Sequence, residues 1–223
     1  MNTKEVEIYK KIKQAIIQQK LRPNMQLVEK DIAESFGVSR TPVRNVLRRL
    51  SYERLIRIIE NKGAFVSGTT VEEAKEVFEM RRILEAQAVR KACRTATEEQ
   101  LKILEKMVKE ELVTYGEIDY TDAIQMAGEF HLKVAELAGN SYFYRYLEEL
   151  ISMTYVIISI YGRGKEETKS CTHHIHIFNA IREGNEVLAE KLCVEHLMEI
   201  ENNLHFNKEH QIPVSIAQIF KIN

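Results

Sequence analysis

Apolar side chains at Leu27, Ile32, Ala33 and Phe36 recur at helical spacing, and the run stops at Gly37, a residue suited to a left-handed helix end. A second stripe of the same period follows at Val43, Val46, Leu47 and Leu50. Its opening residues Ser39, Thr41 and Pro42 cap or remove the first backbone N–H groups of a helix. The pattern predicts helix, tight turn, helix. Two short apolar runs, Ile56 to Ile59 and Ala64 to Val66, flank Asn61-Lys62-Gly63 and predict a two-stranded wing. Gly68 then breaks the strand pattern, and Thr70-Val71-Glu72-Glu73 reads as a capping box that opens a new helix. Helical periodicity continues near residues 70–93, 97–114, 118–138, 141–162, 168–183 and 185–206, with breaks at Thr97, Gly139-Asn140, Gly162-Arg163-Gly164 and Glu183-Gly184-Asn185. The expected fold is mainly α. A winged helix-turn-helix spans 1–68, an all-α antiparallel helical bundle spans 69–206, and a tail of 207–223, interrupted by Pro213, receives no role.

Charge sharpens this division. Residues 1–70 hold 14 Lys and Arg against 7 Asp and Glu, a net of +7; the whole chain holds 32 against 33, which leaves 18 against 26, or −8, for the remainder. A basic domain joined to an acidic one fits a chain in which only the first part meets phosphates. Arg40 and Arg44, four residues apart, share one face at the start of the second helix, as suits a helix whose N-terminus enters a DNA groove. Other classes recede. No apolar run reaches membrane-spanning length and the N-terminus lacks a signal-peptide core, so a soluble, cytoplasmic protein with no membrane partner is expected. Cys93, Cys171 and Cys193 are odd in number and widely spaced, the usage of reduced, mostly buried thiols.

Residues 8–67 resemble the winged helix-turn-helix of the GntR family of bacterial transcription regulators. Ile16-Ile17, Leu21, Pro23 and Leu27 resemble its entry segment, Ser39-Arg40-Thr41-Pro42-Val43-Arg44 its recognition helix, and Lys62-Gly63-Ala64-Phe65-Val66 its wing. Gln19, Asn24 and Arg54 stand where the family usually has glycine. Asn24 tolerates a left-handed turn, whereas Arg54 predicts an altered path into the wing. Arg40 and Arg44 are expected at base edges or nearby phosphates, with Thr41 on the DNA backbone. The resemblance further implies backbone contacts from Lys30 and Lys62, and a minor-groove approach at Gly63. Lys10, Lys11, Arg48 and Arg49 are read as general charge. A homodimer would read an imperfect palindrome in a double-stranded operator.

Three histidines form a second constellation. His196 falls on the stripe Leu188, Leu192, Ile200, Leu204, and His174 precedes Ile177, Phe178 and Ile181 by three, four and seven residues, so both point inward. The turn at Gly184 lies midway between them, which puts each roughly 15 Å from the hairpin tip, facing the other. His131 shares its face with Ile124, Ala127, Val134, Ala135 and Ala138, small side chains that leave space for a cavity. Each alone would read as a hydrogen-bonded core residue. Converging, the three imidazoles can hold a metal with a coordination position left open, or bind an anion directly when protonated. His173 and His176 are read as rim or surface residues, and His205 and His210 as solvated. Tyr155, Tyr161, Ser152, Thr154 and Ser159 could line the fourth bundle helix with hydroxyls, their facing left open.

The same bundle, over about 72–204, resembles the all-helical ligand-binding domain of the FadR-type subgroup, of the kind with a metal in its pocket. Arg81-Arg82-Ile83-Leu84-Glu85, Phe130-His131 with Ala138-Gly139-Asn140, His174 with Ile177 and Ala180-Ile181, and Ala189 with His196-Leu197 carry the likeness. It implies His131, His174 and His196 as metal ligands, a small carboxylate effector, and Arg81 facing the pocket; an ion pair with a bundle glutamate is the other reading of Arg81. It also implies an aspartate ligand one turn before His131, where this chain has Ala127. Three nitrogens without that carboxylate favour Zn²⁺ or Ni²⁺ over hard ions. The expected function is a DNA-binding regulator switched by a metabolite and not an enzyme. One alternative keeps DNA binding but makes the bundle a vestigial dimerisation scaffold; a remote one is a three-histidine hydrolase, which lacks a positioned base because Glu195 and Glu129 point away from their neighbouring histidines.

Overall fold

The computed structural model describes residues 3–18, 20–114, 118, 120–162, 170–206 and 219–220. Two compact units emerge. The first holds residues up to Thr70 together with 152–161, Phe206 and the described residues Ile219 and Phe220; the second holds the described residues of 71–151 and 162–205.

In the first unit α1 (Thr3–Ile17) is followed by the short strand β1 (Gln26–Leu27), α2 (Glu29–Phe36), α3 (Arg40–Tyr52), β2 (Ile56–Ile59) and β3 (Gly63–Val66). Ile8, Ile12 and Ile16, one turn apart on α1, are buried, as are Val43, Val46, Leu47 and Leu50 on α3, against which α1 packs. Gly37 ends α2 at φ +61°, donating its N–H to the carbonyls of Ala33 and Glu34. Ser39 occupies the cap position of α3 with extended backbone but makes no side-chain cap bond, so the expected hydroxyl cap is absent. The wing gains a strand that its sequence did not announce: β1 pairs antiparallel with β3, giving the order β1-β3-β2. Gln26 Nε2 also donates to the Lys62 carbonyl at 2.8 Å, tying β1 to the wing tip.

Asn24 and Arg54 both adopt positive φ, 65° and 59°. The path into the wing is therefore the one a glycine would take, and the expected alteration at Arg54 does not occur; the backbone bears the strain. Gln19 lies outside the described residues. Phe220, in the stretch left without a role, is buried and meets the Phe36 ring at 5.4 Å between centroids.

The second unit is helical, with α4 (Val71–Thr95), α5 (Glu98–Thr114), α6 (Tyr120–Leu137), the first half of α7 (Ser141–Tyr161), α8 (Ser170–Arg182) and α9 (Glu186–Asn202). These boundaries lie within a few residues of those the periodicity predicts. Thr97 and Gln100 form a reciprocal capping box at the start of α5. Gly184, at φ +67°, turns the chain between α8 and α9. Val89, Leu104, Val108, Phe130, Ile177, Phe178 and Leu197 belong to one buried core drawn from five of these helices. Among the described residues no helix is long and apolar enough to cross a membrane.

Candidate functional site

On the first unit Lys30, Arg40, Thr41, Arg44, Lys62 and Gly63 are all exposed. Arg44 carries two hydrogen bonds from its guanidinium to Glu29, and Lys30 lies 3.7 Å from Glu34. Arg49, read from sequence as general charge, is instead part of a packed cluster. Its guanidinium lies over the Tyr9 ring and bonds Glu53 at 3.1 Å, while the Tyr9 hydroxyl donates to the same carboxylate. Burial, with Glu53 adding to it, pushes the Tyr9 phenol well above its ordinary range.

In the second unit His131 on α6, His174 on α8 and His196 on α9 are all buried, and their ligand atoms lie within 4.8 Å of one another. His196 Nε2 is 3.1 Å from His174 Nε2 and 3.2 Å from His131 Nε2. The facing of His174 and His196 expected from the hairpin is present. The opposite ring nitrogens each have an outer partner: His131 Nδ1 lies 2.6 Å from Glu85 Oε2, His174 Nδ1 2.8 Å from Glu111 Oε2, and His196 Nδ1 3.4 Å from His173 Nδ1. Phe130 stacks on the His174 ring at 4.2 Å, closing one side with carbon.

These outer contacts decide the tautomers. Burial alone would raise the Glu85 carboxyl, but the charge of Arg81, with the hydrogen bonds from His131 and Arg81, outweighs it and holds the group down to about 2. Glu85 is thus ionised at neutral pH and accepts the Nδ1–H of His131. Glu111 differs, because burial pushes it up to about 7. When ionised it accepts the Nδ1–H of His174 in the same way. The Nε2 atoms of His131 and His174 then present lone pairs to His196 Nε2, whose one proton can serve only one of them. Burial, and the neighbouring imidazoles after it, lower the pKa of His174 and His196, so these rings stay neutral.

A divalent cation held by the three Nε2 lone pairs would resolve that frustration. Nitrogens about 2.0–2.1 Å from a Zn²⁺ ion in tetrahedral sites would lie about 3.3 Å apart, close to the two spacings from His196 Nε2. Carboxylates on the far nitrogens are the usual outer partners of metal-bound imidazoles. The donor set fits a metal held by His131, His174 and His196.

Arg81 is brought to the site but is engaged: its Nε donates to Glu85 Oε1 at 2.7 Å, both groups buried, which is the ion-pair reading of this residue. Tyr155, Tyr161, Ser152, Thr154 and Ser159 are buried, and they belong to the part of α7 grouped with the first unit. Lys13 lies over the Tyr155 ring, and the Tyr161 hydroxyl donates to the Thr69 carbonyl. His173 is half-buried with Glu199 3.5 Å away, while His176 and His205 are exposed and His210 lies outside the described residues.

Comparison with known proteins supplies the family. The model for bacterial regulatory proteins of the gntR family matches residues 4–66, and that of the FCD domain matches 76–199. The chain belongs to the GntR family, with an FCD domain as its second part. As a GntR-family protein it is a DNA-binding transcription regulator and not an enzyme. It is 27% identical over 194 residues to the uncharacterized HTH-type transcriptional regulator YdhC of Bacillus subtilis (strain 168), covering 86% of each chain. The gluconate operon transcriptional repressor of the same organism is 30% identical over 151 residues, 66% of this chain and 60% of that one. Among solved structures, McbR/YncC of E. coli superposes with a TM-score of 0.72 at 18% identity, over 89% of this chain and 95% of its own, a likeness of fold.

Two site residues of this GntR regulator carry no role in the sequence reading, Glu85 and Glu111. Glu111 continues the buried stripe Leu104, Val108 at i+4 and i+7, so a carboxylate on an apolar face was its available signal. Glu85 sits four residues after Arg81 in a motif that showed likeness without chemistry.

Proposed function

We propose that this regulator binds an operator as a homodimer through Arg40, Thr41 and Arg44 of α3, with Lys30, Lys62 and Gly63 meeting the DNA backbone and groove. Its DNA affinity is set by a small carboxylate metabolite at a metal held by His131, His174 and His196. The convergence of three Nε2 atoms, with carboxylates on the far nitrogens of His131 and His174, is the observation that carries this reading. Zn²⁺ or Ni²⁺ is the metal class, because Ala127 offers no hard oxygen donor where the resemblance implies aspartate. When bound, such a metal supplies an open coordination position for a carboxylate oxygen. Kinship with a gluconate operon repressor supports an effector of the hydroxy-acid type. Glu85 and Glu111 orient the imidazoles, and Arg81 restrains Glu85. The metabolite changes DNA affinity only by the ratio of its affinities for the DNA-competent and DNA-incompetent states. The site of action is the cytoplasm.

Elemental analysis of protein purified without a His-tag or chelator, beside the His174→Ala variant, tests the metal. The expected result is near-stoichiometric Zn or Ni, lost in the variant, with a melting temperature that rises when gluconate is added to the metal-loaded protein. Metal-free protein whose melting temperature is indifferent to added Zn²⁺ or Ni²⁺ would overturn it and leave the bundle as a scaffold.

A further inference from the structure

The basic face of the helix-turn-helix contains an acid. Glu29 opens α2, and the buried Ile32, Ala33 and Phe36 of that helix pack it against α3. This packing delivers the carboxylate to the side of the recognition helix. Its Oε1 accepts from Arg44 Nε at 3.0 Å and its Oε2 from Nη2 at 2.7 Å. Both side chains keep contact with solvent. The bonds from Arg44, helped by the charges of Arg44, Arg40 and Arg48, hold the Glu29 carboxyl below the usual carboxylate range against its desolvation. A carboxylate surrounded by three arginines on a surface that approaches phosphates opposes binding by charge alone.

The bond pattern shows what offsets that cost. Parallel bonds to Nε and Nη2 use one edge of the planar guanidinium and fix its plane, which an exposed arginine otherwise leaves to its rotamers. The other edge, Nη1 with the second Nη2 hydrogen, remains available and has the fork geometry that matches guanine O6 and N7. The ion pair is close to neutral, so Arg44 releases few counterions at a phosphate while keeping its base-reading donors.

We infer that Glu29 is a specificity-determining positioning residue, which aims Arg44 at a guanine base edge and withholds it from phosphate. The inference rests on Arg44 meeting DNA, as proposed above. Glu29→Gln keeps the size of the side chain and removes its charge.

Random-sequence duplex DNA selected on the full-length protein provides both the motif and the probe. Wild type, Glu29→Gln and Arg44→Ala are then titrated against the selected duplex, the duplex substituted at each G·C pair, and an unrelated duplex, over a range of salt. Circular dichroism confirms that each variant is folded. Arg44→Ala is expected to lose its preference at one G·C pair. Glu29→Gln is expected to lose about tenfold of its discrimination at that same pair, to bind the unrelated duplex more tightly, and to steepen its salt dependence by about one counterion. A Glu29→Gln protein that binds every duplex more tightly with its G·C preference intact would overturn the inference, since Glu29 would then be only a brake. Unchanged binding in that variant would overturn it too. Failure of the wild type to select any motif, or an Arg44→Ala protein with unaltered preferences, would instead remove the underlying reading of Arg44.

Discussion

Glu85 is enclosed in α4 with Arg81 on one oxygen and His131 on the other, and Cys193 Sγ 4.0 Å away. Its depressed pKa, about 2, contributes stability that is present above the ordinary carboxylate range and lost as the pH falls toward 2. His174 and His196 act at milder pH. Buried neutral, they bind fewer protons than in the unfolded chain, so stability falls as the pH drops below about 6.5. Glu111 works in the opposite sense: with its carboxyl raised to about 7, the folded state binds the extra proton and recovers stability as the pH falls from about 7 toward 4.5. In chelator-stripped protein the melting temperature should therefore fall between pH 7 and 5.5, and fall more steeply in Glu111→Gln, which lacks the compensating proton. Thermal melts across that range check this; an unchanged slope in the variant would show that Glu111 does not titrate there.

At the scale of elements, the turn from α3 into β2 is the most exposed to substitution. Arg54 holds φ 59° where the backbone favours glycine, and its N–H donates to the Ser51 carbonyl in that turn. A left-handed conformation costs a non-glycine residue about 1–2 kcal/mol, part of which glycine returns through its more flexible unfolded chain. Arg54→Gly should raise stability by about 0.5–1 kcal/mol, read as a rise of a few degrees in melting temperature. No rise would mean that the arginine side chain compensates for its backbone. The helices of the bundle were legible because their stripes are long and their punctuation, Thr97 and Gly184, is chemically specific. β1 was not, since two residues show no period and its pairing is supplied by the edge of β3.

For the molecule as a whole, the charge division between 1–70 and the remainder concerns DNA, and its signature is ionic strength. Removing one lysine from a phosphate should lower the salt slope by about one, so Lys62→Ala is expected to weaken binding to all sequences alike and to flatten the slope by about that amount. A sequence-selective loss would instead place Lys62 at a base. Which residues make up each unit was less accessible from sequence than this charge. Residues 152–161 continue the periodicity of α7 without a break, yet they group with the N-terminal unit, where Tyr155 meets Lys13 and Tyr161 meets Thr69 and Phe206. Phe220 likewise carries no local pattern, and its burial against Phe36 depends on a residue far away in the chain.

Local chemistry determined the elements and their order, because helical period, caps and turn residues act over a few neighbours; it also determined that His174 and His196 face each other, since a hairpin of known rise leaves little choice. What surrounds those imidazoles was decided only in the tertiary structure. Glu85 and Glu111 reach His131 and His174 from α4 and α5, helices whose packing against α6 and α8 no spacing in the chain encodes. Through-space Coulomb energy and desolvation then set which nitrogens carry protons, which carboxyl is raised and which is lowered. Arg81 shows the division within one side chain: the family resemblance implied that it faces the pocket, but its partner follows from how the buried charge is neutralised.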